Sequence, residues 1–395
     1  MKMIKKIVKC EVCNTDKLFN VLDLGMHPLC DDLIKFDEKR VCKEYPIQIL
    51  FCKKCLTAHQ KYQVPKAELF HKDYHYRARM TKSVLSGMED FVENCEKQIG
   101  CLKGFKVLDI GCNDGSLLDF FKKKGALTFG VEPTKAALES SHYTINKFFD
   151  RNVVNTILEK IGKPDLITFT NVFAHIENLS SLIDNLKSIT TQETYIMIEN
   201  HYLGAIFKNS QFDTFYHEHP RTYSVRSFNF IARSLGLNLL NYQFVSRYGG
   251  NVRVFIGKGK TASAVSKDEN FFDKFKVMQS DLENWKEKTI NSIRELNNKF
   301  GPLNAKAFPG RAAILIKLLD LNENNIKAVY EITGSKKVFH YVPGTKIPIL
   351  PEQELFKKKS NTTILNLAWH IPDEVKENLK KNGFEGEIFN IKDFN

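Results

Sequence analysis

Between Gln211 and Ser224 the chain reads Gln-Phe-Asp-Thr-Phe-Tyr-His-Glu-His-Pro-Arg-Thr-Tyr-Ser, which gathers Tyr216, His217, Glu218, His219 and Tyr223 into eight positions. Such a run joins a base, a carboxylate to orient it and phenols to contact a polar substrate, the equipment of general acid–base work. In an extended strand Tyr216 and Glu218 share one face while His217 and His219 share the other. Only a bend brings all four together, and Pro220 supplies a reason for one. The run lacks the i, i+4 histidine pair of His-Glu-x-x-His, so a metalloprotease reading fails. The plain alternative is a polar loop with internally satisfied histidines.

A second constellation lies near the N-terminus, where Cys10-Glu-Val-Cys13 and Cys52-Lys-Lys-Cys55 form two Cys-x-x-Cys knuckles separated by 38 residues. Four thiolates on two tight turns make a tetrahedral all-sulfur site, the preferred setting of structural Zn²⁺. Four protein ligands leave no open position for a catalytic water, so the expected metal is structural. Redox Cys-x-x-Cys motifs normally open a helix within a βαβ unit, and neither knuckle sits in one. Cys30, Cys42, Cys95, Cys101 and Cys112 read as ordinary small or buried residues.

The third constellation begins at Lys106-Val-Leu-Asp-Ile-Gly-Cys-Asn-Asp-Gly-Ser116, an apolar strand that breaks into a glycine loop and continues as a helical pattern over Leu117–Lys124. Strand, glycine loop and helix form the first crossover of a doubly wound sheet, with a ligand crevice at the carboxyl ends of the strands. A second strand, Thr128-Phe-Gly-Val-Glu-Pro133, ends in Glu132, 21 residues after Gly111, the offset at which such folds place a carboxylate on ribose hydroxyls. A third, Asp165–Thr170, runs into Asn171-Val-Phe-Ala-His-Ile176. A dinucleotide fingerprint wants Gly-x-Gly-x-x-Gly, whereas this loop has one spacing wrong and holds Asp114, which repels a pyrophosphate. The order of parts resembles the class I S-adenosylmethionine methyltransferases. Asp109, Gly111, Asn113, Gly115 and Glu132, with Asn171 and His175, are the candidate donor-binding residues.

The remaining elements must position these groups. At 395 residues, with 43% hydrophobic and 26% charged residues, the chain is long enough for two or three globular domains. The net charge of +12 is diffuse: residues 1–60 hold 11 Lys/Arg against 8 Asp/Glu, a net of only +3, which weakens a nucleic-acid reading and leaves phosphorylated small molecules open. No signal-peptide run or membrane-spanning stretch is visible, so a soluble cytoplasmic protein without membrane insertion is expected. In that reducing setting the cysteines favour metal over disulfides. We divide the chain into a zinc module over 1–75, a donor domain over 76–300 and a C-terminal α/β domain over 301–395. Helices are expected over Thr81–Ile99 and Phe271–Phe300, the latter a connecting helix ended by Gly301-Pro302. Strands are expected at Thr194–Glu199, Lys327–Tyr330 and Thr362–Leu367, with a helix at Glu374–Lys381, so that the last domain is a second parallel α/β unit.

The combination resembles the C-methyltransferases of deoxysugar pathways, which methylate a nucleotide-linked 4-keto-hexose at the neighbouring ring carbon. The likeness runs through both knuckles, Leu24-Gly-Met-His-Pro-Leu29, Leu69-Phe-His-Lys-Asp-Tyr-His-Tyr76, the glycine loop, Asn171–Ile176, Phe212–His219, Tyr248-Gly-Gly-Asn-Val-Arg253 and Pro343-Gly-Thr-Lys-Ile-Pro348. It implies a zinc module, a class I donor domain and a Rossmann-like C-terminal domain, with a sugar nucleotide as partner. It implies also that a base removes the proton α to a ketone and that the enolate carbon attacks the donor methyl. His219 is then the candidate base, Glu218 its orienting partner, Tyr216 and Tyr76 contacts to the keto oxygen, and His175 a neighbour of donor or substrate. A neutral imidazole suits proton abstraction near pH 7.

Three departures bear on the acceptor: Arg77-Ala78-Arg79 after Tyr76, which offers a phosphate site, Pro309-Gly-Arg-Ala-Ala313 in place of a glycine-alanine-lysine loop, and Trp369-His370 in place of Trp-Asn. They keep alive an O- or N-methyltransferase on a related, phosphorylated carbohydrate of surface-polysaccharide synthesis. A non-catalytic binding scaffold is the reading from another class.

Overall fold

A computed structural model describes residues 4–69, 77–80, 82–262, 270–357 and 363–393. It divides into two compact units, one of residues 1–19, 50–206 and 218–271, the other of residues 20–49, 207–217 and 272–395. Residues 20–49, from between the knuckles, thus group with the C-terminal part of the chain.

The first unit carries the knuckles, followed by strand β1 (Thr57–Gln60), and then helix α1 (Lys82–Ile99) leading to a doubly wound sheet. The sheet strands are β2 (Lys106–Ile110), β3 (Leu127–Val131), β4 (Tyr143–Ile145), β5 (Leu166–Thr170) and β6 (Tyr195–His201). After the short β7 (Arg221–Thr222) come β8 (Asn238–Val245) and β9 (Asn251–Gly257). The order β8-β9-β6-β5-β2-β3-β4 is parallel from β6 to β4, with β9 running antiparallel between β6 and the edge strand β8. Strand β2 lies between β3 and β5, so chain direction along the sheet reverses there, and the ligand crevice of such a sheet opens at that point.

Apolar strands form the sheet because helices cover both faces. On one face, Val84, Met88, Phe91, Val92 and Cys95 recur along α1 at helical spacing and pack with Leu117, Leu118 and Phe121 of α2 (Ser116–Lys123) against Val107, Leu166, Met197 and Phe255. On the other, α3 (Arg151–Lys160), α4 (Leu179–Ile189) and α5 (Val225–Ser234) cover Leu108, Ile110, Ile167, Phe169, Ile196 and Ile198. Each of these helices starts on a side-chain cap. Asp150 accepts from the Val153 amide, Asn178 from that of Ser181, and Ser224 forms a reciprocal capping box with Ser227.

The second unit contains α6 (Phe271–Phe300), whose first residue closes the first unit, and a second sheet, parallel except at one edge. Its strands β10 (Leu303–Lys306), β11 (Ile326–Glu331), β12 (His340–Tyr341), β13 (Pro348–Pro351), β14 (Ile364–Asn366) and β15 (Ile388–Asn390) take the order β15-β14-β10-β11-β13-β12. The pair Ile34–Lys35 adds to β12 at the edge. Helices α7 (Ala312–Leu318) and α8 (Pro372–Lys381) are the crossovers after β10 and β14. The long helix and the alternating C-terminal strands therefore lie where hydrophobic periodicity put them. Among the described residues no helix is long and apolar enough to cross a membrane.

Candidate functional site

The four knuckle sulfurs lie within 4.8 Å of one another, with Cys10 and Cys55 3.3 Å apart and Cys13 and Cys52 3.5 Å apart. A tetrahedral ion with Zn–S bonds of about 2.3 Å needs sulfurs about 3.8 Å apart, so the donor set fits zinc in both chemistry and span. The crowded sulfurs push the Cys52 thiol down and the Cys10 and Cys55 thiols up. Four thiolates this close repel one another, and a divalent cation removes that conflict.

The knuckles are tied to the segment that follows His219. Strand β1 pairs antiparallel with β7, placing Arg221 opposite His59, and the Gln60 amide donates to the Pro220 carbonyl. Ser227, in the cap of α5, donates to the carbonyls of Cys55 and Leu56 and accepts from the Thr57 hydroxyl. Glu11, inside the first knuckle, forms an ion pair with the fully buried Arg221, whose Nε donates to the Tyr223 hydroxyl at 2.9 Å. Burial opposes the Glu11 charge, but His59, Arg221, Lys5 and Gln63 outweigh it and hold the carboxyl well below its usual range.

The glycine loop sits at the carboxyl end of β2, beside the switch point. Gly111 has φ +78°, and a β-carbon there would fall 2.4 Å from the Val172 side chain, so the loop presses on the segment after β5 through bare backbone. Glu132 ends β3 with one carboxylate oxygen accepting from the Asn113 amide at 3.0 Å and the other from the Thr134 amide at 2.9 Å. Asp109 is buried beneath the loop and accepts from the Thr168 hydroxyl at 2.7 Å; burial, with the Glu132 charge, pushes its carboxyl up to about 7. Asn171 takes a left-handed φ of +55° just past β5. A loop of bare backbone, a buried carboxyl and an acid on the next strand suit a polar, nucleoside-bearing ligand.

Asp114 is held by the Ser116 amide and by Arg79, whose backbone amide and Nε donate to it at 3.1 and 3.0 Å. Arg77 pairs with Glu139 at 2.7 Å. Both arginines of the expected phosphate site thus meet carboxylates through Nε. Tyr76 lies outside the described residues.

The Tyr-His-Glu-His run turns at His217 and Glu218 instead of extending, and its two histidines part company. His217 belongs to the second unit, where its ring donates from Nε2 to the Tyr45 carbonyl at 3.1 Å and burial pushes it down to about 4. It serves the fold. His219 is buried in the first unit between two further imidazoles, with ring centroids 4.8 Å from His175 and 5.0 Å from His201. His175 bonds through Nδ1 to the Glu218 carbonyl at 2.7 Å. A carbonyl only accepts, so Nδ1 carries a proton. Burial pushes His175 down to about 4 and keeps it neutral. The Glu218 side chain is buried, and Tyr216 is half-buried in the second unit.

His201 escaped the sequence reading, which ended its strand at Glu199. Strand alternation carried two residues further puts His201 on the face of Glu199. Glu199 itself is wholly buried, accepting from Arg253 at 2.6 Å, Arg247 at 2.9 Å and Asn251 at 3.1 Å.

In the second unit, loops after β10 and β14 flank that sheet's own switch point. Arg311 forks onto Asp213 at 2.7 and 3.0 Å, Trp369 donates to the same carboxylate at 2.9 Å, and the guanidinium lies 4.8 Å over the indole. Burial opposes the Asp213 charge, yet Arg311 holds its carboxyl below the usual range.

Comparison with known proteins covers both units. Residues 76–242 match a family described as "Methyltransferase domain", residues 10–70 one described as "Putative zinc binding domain", and residues 247–391 one described as "C-methyltransferase C-terminal domain". The chain is 24% identical over 397 residues to the C-methyltransferase NovU of Streptomyces niveus, covering 96% of this chain and 94% of that one. A ubiquinone biosynthesis O-methyltransferase of Rhodopseudomonas palustris is 26% identical over 113 residues, covering 27% of this chain and 43% of its own. Among solved structures, magnesium protoporphyrin IX methyltransferase from Synechocystis PCC 6803 with bound SAM aligns at 16% identity and TM-score 0.34, covering 44% of this chain and 81% of its own. Matched in three successive segments between residue 10 and residue 391, the chain is a methyltransferase that joins an N-terminal domain of that zinc-binding family, a methyltransferase domain and a C-methyltransferase C-terminal domain.

Proposed function

We propose that this methyltransferase transfers its methyl group to a ring carbon of a nucleotide-linked 4-keto-deoxyhexose. The observation that carries the reading is the group of three imidazoles, His175, His201 and His219, near the carboxyl ends of β5 and β6 on the strands that continue from the donor crevice. A carbon acid must lose a proton before it can attack, and a buried cluster of bases suits that demand. The likeness to NovU over nearly the whole length of both chains supports carbon as the methylated atom.

Asp109, Gly111, Asn113, Gly115 and Glu132, with Asn171 and His175, would hold S-adenosylmethionine, and Cys10, Cys13, Cys52 and Cys55 a structural Zn²⁺. When bound, the donor supplies a methyl carbon made electrophilic by its sulfonium. His219 would take the proton α to the ketone and leave the C–H electron pair in an enolate, whose carbon would take the methyl as the donor's S–CH3 pair returns to sulfur and a neutral thioether leaves. His175, held at Nδ1 by the Glu218 carbonyl, sets the ring against which His219 stands. Glu218 steadies the His219 side.

The test is to incubate the enzyme with labelled S-adenosylmethionine and a panel of nucleotide-linked 4-keto-hexoses, and to locate the methyl by mass spectrometry and NMR. Methyl on ring carbon, with solvent exchange of the α proton, is expected. Methyl on oxygen or nitrogen overturns the carbon chemistry, and failure to bind the donor makes the chain a scaffold.

A further inference from the structure

A methyl passing from a sulfonium to a C–H carbon sets one proton free in every turnover, because the C–H pair ends in the new C–CH3 bond and the S–CH3 pair returns to sulfur. On the reading above that proton begins on His219, a residue only 3% exposed. The base must lose it before it can act again, so the imidazolium needs a way out.

His175 does not provide one. Its ring bonds to two main-chain carbonyls, that of Glu218 at 2.7 Å and that of Asn171. A carbonyl accepts a hydrogen bond but does not keep a proton, so a charge passed to His175 goes no further. His201 is differently placed. It ends β6, is half-buried, and its ring centroid lies 5.0 Å from that of His219. Imidazole nitrogens sit about 1.1 Å from the ring centre, so rings at this separation can bring two nitrogens within about 3 Å, the length of a hydrogen bond.

The turn from β8 to β9 meets the His201 ring. Tyr248, Gly249 and Gly250 have φ of +54°, +84° and +125°, and for a tyrosine that conformation costs free energy. The turn is locked from both sides. Arg247 donates to the buried Glu199 at 2.9 Å and lies on bare Gly87 of α1, where a β-carbon would fall 2.3 Å from its Nε. The Tyr202 amide donates to the Gly250 carbonyl at 3.3 Å, and a β-carbon on Gly250 would fall 2.3 Å from that of Ala205. The strained tyrosine thereby stands against His201, with ring centroids 6.0 Å apart and planes at 70°.

We propose that His201, held in place by the Tyr248 turn, carries away the proton that each methyl transfer leaves on His219. The His219 imidazolium gives its proton to the facing His201 nitrogen, and His201 gives one up to water or a buffer base at its half-exposed side. Tyr248 is then a positioning residue that acts through the His201 ring.

The inference rests on His219 as the base of the proposed reaction, and the experiment separates the two. Rapid-quench transfer of labelled methyl to the nucleotide-linked 4-keto-hexoses is followed with the full zinc-loaded chain, its first turnover resolved from later ones. His201→Gln cannot carry a proton, so it should keep the first transfer within about 3-fold of wild type while slowing later turnovers about 10-fold or more. Added imidazole should restore those turnovers without speeding wild type. Tyr248→Ala should show the same split, and Tyr248→Phe, which keeps the ring, should not. Equal slowing of first and later turnovers in His201→Gln, later turnovers as fast as in wild type, or a slow phase that imidazole leaves unchanged each overturns the relay alone. Undiminished turnover in His219→Ala, or no transfer by wild type, overturns the base and the relay together.

Discussion

Removing the Glu11 carboxylate should cost far more stability than an ordinary ion pair, because its partner has nowhere to go. Arg221 is fully buried, and the Glu11 side chain is only 13% exposed. Breaking one side of a buried pair leaves the other charge desolvated, at about 3–5 kcal/mol. The Lys5 contact on the same carboxylate adds little, since Lys5 is about half exposed and such pairs are worth roughly 0–1 kcal/mol. Urea unfolding at pH 7 with zinc content monitored should therefore place Glu11→Gln about 3 kcal/mol below wild type. Glu11→Leu combined with Arg221→Met should recover much of that loss, because no uncompensated charge remains.

The pH dependence follows from the direction of the Glu11 shift. Its carboxyl is lower in the folded chain than in the unfolded one, so its contribution is fully present above the ordinary carboxyl range and is lost as pH falls through and below that range. The gap between wild type and Glu11→Gln should narrow accordingly in acid. A single-variant loss below about 1 kcal/mol, or a double variant as unstable as the summed singles, refutes the argument.

Other consequences can be measured directly. Zinc-loaded protein should hold about one ion per chain, and chelation at neutral pH should expose the four knuckle thiols to a thiol reagent; equal thiol reactivity with and without chelator would remove the metal assignment. His219→Ala should lower kcat by about 10²–10⁴-fold while S-adenosylhomocysteine binds as in wild type, and undiminished turnover would remove His219 as base. His175 has a folded value below its unfolded one, so it stabilises the fold fully above about 6.5 and progressively less as pH falls toward about 4. His175→Gln should flatten that part of the stability profile, and an unchanged profile would show that burial does not hold the ring neutral. Asp213→Asn leaves Arg311 buried without its counter-charge, and should destabilise the chain by about 3 kcal/mol in urea unfolding.

The parts that sequence reading located share one property: their signal is local. Cys10-x-x-Cys13 and Cys52-x-x-Cys55 each declare a turn, and the α1 stripe from Val84 to Cys95 declares a buried face, before any long-range contact is known. Glu132 follows the glycine loop by the length of one crossover, so its place at the end of β3 was also within reach. The Tyr-His-Glu-His run declared chemistry without declaring geometry. Alternation put His217 and His219 on one face, whereas the turn sends His217 to the Tyr45 carbonyl and His219 to His175 and His201.

What decided that outcome lies far off in sequence. His219 is followed by a strand whose partner, β1, leaves the second knuckle, and by a cap whose serines bond to the knuckle's own carbonyls. Arg77 and Arg79 show the same limit from the other side. A basic pair looks available for phosphate until Glu139 and Asp114, reached only through the fold, are seen to hold it. Asn251 shows it most sharply, because an asparagine in a Gly-Gly-Asn turn reads as turn chemistry. Only the fold brings its amide to Glu199, 52 positions away. The cysteine knuckles therefore bear on the proposed site through the chain path alone. By pairing β1 with β7 and burying Arg221 against Glu11, they fix where the chain emerges after Pro220, and so where His219 stands among the histidines.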